Sequence, residues 1–378
     1  MEILLLDMDG VLLEARAYHQ ALREVVERIG RALGFRQVNL TLEDIHFFES
    51  VDVTSEWDSS AICYALLLER VWGLDPNLRL PTQPPLPETE THDLSAPDFR
   101  AFFRSLAAAT SKPVPSLADA EHLLLQQREH TPAQIETLQG IFRNARRIAG
   151  SLTHRMFQEL ILGSQVFCEL YGLDASAPSD GYLLTLDVPA LDKRQTRRLL
   201  DWIAQRDHYA AVFTNRPSKP LGDFFDTPEA ELGLKLVGLE GVPMVGHGSL
   251  AWMARERGLS MDALLKPSPV HVLTALRCAL GESIESALRS AASLVLDAVV
   301  DADWAVLDGA QVAVFEDAAK GLQSADSARE TLSQHRTAIA LHLRGVSSDE
   351  NKAHALRAAG AQVYTNLAAA MAGFVDLE

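Results

Sequence analysis

The chain is poor in cysteine, in basic residues and in long apolar runs, and each shortage narrows what it does. Only three cysteines occur in 378 residues, and Cys63, Cys168 and Cys278 each stand alone in apolar surroundings. Without a CxxC pair or a Cys/His cluster, neither a disulfide framework nor a zinc site is expected. The thiols read as buried and free, in a reducing cytoplasm. No apolar run reaches membrane-spanning length, so no membrane partner is expected. Glu2 stands where a signal peptide carries positive charge, and Asp7 and Asp9 interrupt the apolar stretch, so no secretory leader is expected. Lys and Arg number 34 against 51 Asp and Glu, a net charge of −17. That balance argues against non-specific nucleic-acid binding, which needs a basic surface. An acidic protein that acts on an anion must concentrate positive charge locally, and a bound divalent cation is one way to do so. No internal repeat is present, and nothing in the composition sets the oligomeric state.

The remaining composition is that of an ordinary globular protein, 47% hydrophobic, and long enough for two domains or one domain with a large insertion. Ile3 to Leu6 is a continuous apolar run, as in a buried parallel strand. Helical spacing follows over Glu14–Leu33, with Leu22, Val25, Val26, Ile29 and Leu33 on one face, and again over Ser59–Trp72. Leu80–Ser95, with four prolines, reads as a loop. Helical patterns return at Asp98–Ala109, Ser116–Gln127 and Pro132–Ile148, and continue to Leu170 with an interruption near Gly150-Ser151. Residues 14–180 therefore read as mostly α-helical, without strands.

The pattern changes after Pro178-Ser179-Asp180-Gly181. A helix over Lys193–Arg206 leads to a buried strand at Tyr209–Phe213, and further strands are expected at Gln311–Phe315, Thr337–Leu343 and Ala361–Tyr364, with helices between them. Alternation of this kind indicates a doubly wound, Rossmann-like α/β fold with a parallel sheet. If Ile3–Leu6 belongs to that sheet, the core comprises residues 1–13 and 181–378, and 14–180 is a large helical domain inserted after the first strand.

Three of the strands end in polar residues: Asp7 and Asp9, Thr214 and Asn215, Glu316 and Asp317. A parallel sheet brings such ends to one edge, where open α/β sheets bind ligands. Asp7 and Asp9 share a face if the backbone stays extended, and paired acids there are costly to bury unless something positive joins them. Taken alone, Asp-Met-Asp-Gly is equally an acidic turn with a glycine bend. Lys266-Pro267 is read as the start of a helix. Arg155, Arg216 and Lys219 are candidate substrate contacts; Arg216, directly after Thr214-Asn215, is the best placed of them, although a surface role is expected for it. His154, His208, His247 and His271 have no metal spacing.

Asp7-Met8-Asp9-Gly10-Val11, Val212-Phe213-Thr214-Asn215, Lys266-Pro267 and Val314-Phe315-Glu316-Asp317-Ala318-Ala319-Lys320-Gly321 resemble, in this order, the four signatures of the haloacid dehalogenase-like (HAD) superfamily. Ala318 stands where that family often has serine. Phe157-Gln158-Glu159 and Gly163 resemble the sugar-phosphate subgroup, whose cap lies between the first and second signatures, although 14–180 is longer than the usual cap. The resemblance implies a phosphoric monoester hydrolase acting on a small phosphorylated metabolite. It makes Asp7 the nucleophile, Asp9 the general acid and base, and Thr214 a donor to a phosphoryl oxygen. It also makes Lys266 a charge neutraliser, with Asn215 assisting at the phosphate. Mg²⁺ is the implied cofactor, held by Asp7, the Asp9 carbonyl, Glu316 and Asp317. Asp9 favours phosphoryl chemistry, because displacement of halide leaves no oxygen to protonate. The alternatives are a phosphomutase on a sugar phosphate, or a non-catalytic HAD-like protein whose helical insertion binds a partner. Gly321 is expected to let a helix pack closely, and Lys320 to be a solvated charge.

Overall fold

A continuous apolar run is buried stably only with neighbours on both faces. Glu2–Leu6 (β1) accordingly lies inside a six-stranded parallel sheet in the computed structural model, which describes residues 1–110, 115–223 and 225–377. Residues 111–114 of the expected insertion and residues 224 and 378 of the expected core lie outside the described residues. The chain divides into two compact units, Met1–Ala15 with Asp187–Glu378, and Arg16–Leu186.

In the first unit the strands after β1 are Leu13–Glu14 (β2), Val188–Pro189 (β3), His208–Phe213 (β4), Met244–Val245 (β5), Gln311–Glu316 (β6), Ala340–Val346 (β7) and Gln362–Tyr364 (β8). The sheet order is β5-β4-β1-β6-β7-β8, all parallel, a doubly wound Rossmann-like core. The chain winds outward from β1 through β4 to β5, then returns to place β6 on the other side of β1. That reversal makes the carboxyl edge around β1 the topological switch point. Leu6 is in register with Val212 and with Phe315, so the three strands end level. Alternation along β1 sends Ile3 and Leu5 into one core and Leu4 and Leu6 into the other. The first core is closed by helices Pro269–Ala279, Ile284–Leu296 and Ala319–Gln334. Lys193–Ile203, Glu229–Val237 and Leu367–Met371 close the second.

Several boundaries differ from the sequence reading for local reasons. Thr337 is still in the turn after helix Ala319–Gln334, its N–H bonded to the Leu332 carbonyl, so the strand expected from Thr337 begins at Ala340. Leu13-Glu14 pairs antiparallel with Val188-Pro189, which holds the expected helix back to Ala17–Ala32. Lys266-Pro267 does not open a helix. Ser268 caps the one that starts at Pro269, and Lys266 stands in the preceding turn.

The second unit is helical. Ala17–Ala32, Glu56–Val71, Pro132–Asn144 and Leu152–Tyr171 are its longer helices, and Leu80–Ser95 is free of helix. The helix Leu42–Ser50 was not read from the sequence, although Thr41 and Asp44 form a reciprocal capping box there. The short helix Tyr182–Thr185 belongs to this unit, its Tyr182 hydroxyl bonded to Glu24, which is why the units divide at 186/187 rather than 180/181. Among the described residues no helix is long and apolar enough to cross a membrane.

Gly163 interrupts Leu152–Tyr171 with φ of 78°, and a Cβ there would lie 2.6 Å from the Gly181 nitrogen and 2.7 Å from the Ser179 oxygen. Both neighbours are backbone and cannot rotate away. Gly163→Ala is expected to destabilise the protein by about 2 kcal/mol or more. Urea unfolding checks this, and an unchanged midpoint would refute the close-approach argument.

Candidate active site

Asp7 follows β1 directly, its N–H bonded to the Phe315 carbonyl of β6 at 3.0 Å. This brings the end of β1 against Glu316 and Asp317. Lys266 reaches in from its turn, and its Nζ donates to Asp7 Oδ1 at 2.7 Å and to Glu316 Oε1 at 2.6 Å. The ammonium also lies 4.0 Å from the centre of the Phe213 ring. All of this is buried, with Glu316 wholly so. The second Glu316 oxygen accepts the N–H groups of Asp317 and Ala318, at 2.9 and 3.2 Å. Asp317 accepts from Lys352 Nζ at 2.9 Å.

Two glycines permit this approach. At Gly10, with φ of 75°, a Cβ would sit 2.3 Å from Asp317 Oδ2. At Gly321 it would sit 1.7 Å from Glu316 Oε1, so the helix from Ala319 packs over Glu316 because residue 321 has no side chain.

Asp9 does not join the buried acids. Its carboxylate is gripped by Arg216, with Nη2 to Oδ1 at 2.5 Å and Nε to Oδ2 at 3.3 Å. The same Nη2 donates to Asp187 Oδ2 at 3.0 Å. Arg216 is thus a buried ion-pair centre, not the surface residue expected, because a guanidinium between two carboxylates is compensated inside the protein. Thr214 is buried at the end of β4, its N–H bonded to the Val245 carbonyl and its Oγ accepting the Arg216 N–H at 3.1 Å. That acceptance leaves the hydroxyl proton for another acceptor. Asn215 is exposed at the same turn, and so is Lys320.

Burial, then the neighbouring Glu316, pushes the Asp7 pKa well above the ordinary carboxylate value, with Lys266 opposing the rise. Asp317 is likewise raised by burial. Burial by itself would lower Lys266, but Asp7 and Glu316 hold it above its usual value. Lys266 joins Asp7 to Glu316, Arg216 joins Asp9 to Asp187, and Lys352 pairs with Asp317, so acids and cations alternate along this edge. Oxygens of Asp7, Glu316 and Asp317 lie within 4.8 Å of one another, an all-oxygen donor set that suits a hard divalent cation. Glu316 already commits both oxygens to Lys266 and to N–H groups, so Asp7 and Asp317 offer the more open ligand atoms.

Arg155, in the helical unit, is tied to Glu159 and to the Asp174 carbonyl. Lys219 is exposed. Burial lowers His154 to about 4 and His271 to about 3. His208 stacks on Trp202, and His247 pairs with Asp226 at 2.8 Å. The helical unit also contains a groove of about 860 Å³ that carries none of the expected site residues, and a second potential ligand set in His19, Glu49 and Glu56. Sequence reasoning missed Asp187 and Lys352, which lie in no motif and pair with residues 29 and 35 positions away.

No family model matches the chain, and no curated protein matches it. A solved structure similar to it is an X-ray structure described as Northeast Structural Genomics Consortium target ZR25. The TM-score is 0.63 at 16% identity, over 97% of this chain and 96% of that one. At that identity the likeness shows the α/β fold alone.

A raised carboxyl pKa means that the folded state holds its proton more tightly than the unfolded state. The Asp7 contribution therefore favours folding below the unfolded pKa and turns unfavourable as pH rises toward the folded one. Asp7→Asn removes that penalty. In metal-free buffer its melting temperature relative to wild type is expected to rise as pH increases above the ordinary aspartate value of about 4. Calorimetry with a chelator checks the sign, and a relative fall over that range would contradict it.

Proposed function

We propose that this chain is a HAD-like phosphoric monoester hydrolase, a Mg²⁺-dependent phosphatase acting on a small phosphorylated metabolite. The observation that carries the reading is Lys266 shared between Asp7 and Glu316 at the level ends of β1 and β6, beside Asp317 and Thr214. Bound Mg²⁺, held by Asp7 and Asp317 with Glu316 beside them, would offset the negative charge of these acids and lower the repulsion met by a phosphate.

The residues then divide the chemistry. An Asp7 carboxylate oxygen attacks phosphorus in line, and the bond from phosphorus to the ester oxygen breaks. Asp9 gives its proton to that oxygen, so the leaving group departs as a neutral alcohol and an aspartyl-phosphate remains. Water next attacks phosphorus while Asp9 takes its proton back. The bond to Asp7 breaks, and inorganic phosphate leaves. Lys266 keeps Asp7 aligned and balances charge at the transferring group. Thr214, with its Oγ fixed as an acceptor by the Arg216 N–H, donates its hydroxyl proton to a phosphoryl oxygen. The helical unit takes the role of the cap, selection of the leaving group, from its place in the chain between the first and second signatures. Three free cysteines fit a cytoplasmic setting.

A panel of phosphorylated metabolites, assayed for phosphate release with and without Mg²⁺, tests the reading. Turnover is expected to require Mg²⁺ and to fall at least about 10³-fold in Asp7→Asn. Turnover unchanged in Asp7→Asn, or none with any substrate, would overturn it. Isomerisation of a sugar phosphate without phosphate release would assign a mutase instead.

A further inference from the structure

We propose that Arg216, backed by Asp187, is the positioning residue that sets the geometry of proton transfer by Asp9, an inference that rests on the phosphatase reading. The guanidinium is fully shielded from solvent, as is the Asp187 carboxylate, whereas the Asp9 side chain keeps 37% of its surface exposed. Arg216 therefore grips Asp9 from behind and leaves one side of the carboxylate open. Nε and Nη2 reach different Asp9 oxygens, which fixes the plane of the carboxylate as well as its place.

The grip is built into the fold. Helix Glu229–Val237 carries Gly233 opposite the guanidinium, where a Cβ would lie 3.3 Å from Arg216 Nη1 and 2.7 Å from Met8 Sδ. Asp9 and Asp187 precede β2 and β3, which pair through Leu13 and Pro189, so both acids are tethered to the same ribbon. The Arg216 N–H also orients Thr214 Oγ. Asp187 shares the charge that Arg216 directs to Asp9.

Proton transfer from a side chain accelerates bond breaking only when donor and leaving oxygen are aligned, and matters more as the leaving group becomes more basic. As the bond from phosphorus to the ester oxygen breaks, the Asp9 proton passes to that oxygen, and it is recovered from water in the second step. A displaced Asp9 therefore penalises basic leaving groups selectively in the first step, which kcat/KM reports.

The test compares para-nitrophenyl phosphate with phenyl phosphate, whose leaving group is the more basic. Arg216→Lys keeps the charge but loses the fork, and the double variant Arg216→Gln with Asp187→Asn removes both buried charges together, which guards against misfolding. Each is expected to lower kcat/KM about 10²-fold on phenyl phosphate and less than about 10-fold on para-nitrophenyl phosphate. Asp9→Asn should show the same selectivity, and adding Arg216→Lys to it should cause no further selective loss. Equal losses on both substrates, or none, would overturn the positioning role while leaving the phosphatase reading intact. A wild type that hydrolyses neither ester, and no member of the metabolite panel, would overturn the reading and this inference together.

Discussion

The arrangement at the carboxyl edge depends on one buried cation, the Lys266 ammonium held between Asp7 and Glu316. The two carboxylates come from the ends of neighbouring strands, β1 and β6, and would repel each other in a medium that screens poorly. Removing the cation would leave two acids buried without it, a loss of about 3–5 kcal/mol for a buried pair. The level register of β1 with β6, the absence of side chains at Gly10 and Gly321, and the turn before Pro269 all serve that contact. Burial raises Asp7 and Asp317 above ordinary carboxylates, and the acids gathered there favour further positive charge. In the proposed reaction a divalent cation would supply that charge and would lower the repulsion that an anionic substrate encounters there.

A second buried cation separates the two acids of Asp7-Met8-Asp9. Lys266 draws Asp7 inward, and Arg216 draws Asp9 aside while leaving it partly open. Identical side chains two residues apart thus have different surroundings. In the proposed mechanism this is what allows one to attack phosphorus and the other to move a proton.

The core was legible where burial imposes a continuous run. Ile3–Leu6, Ala210–Phe213 and Val312–Phe315 are apolar because each is covered on both faces, and each is followed by the polar residues that the sequence pattern singled out. Short elements left no period to read. β5 has two residues, and the β2–β3 ribbon has two on each side. Helix Leu42–Ser50 has the signal in its capping box but only a brief apolar stripe, with Ile45 and Phe48 buried. The partners of the acids were beyond reach for another reason. Arg216 meets Asp9 across 207 positions, and Lys352 meets Asp317 across 35, so neither pairing is visible in local pattern. The same holds for the boundary near Leu186, set by a Tyr182 hydroxyl that reaches Glu24.

The central claim is that Asp7 itself carries the phosphoryl group during turnover. Mass spectrometry of an acid-quenched reaction measures this most directly, using Asp9→Asn to slow release of the intermediate and a substrate that the wild type hydrolyses. The account predicts one phosphoryl group on the peptide containing Asp7, lost on treatment with hydroxylamine. Phosphorylation of another residue, or none on that peptide while the wild type turns over, would contradict it.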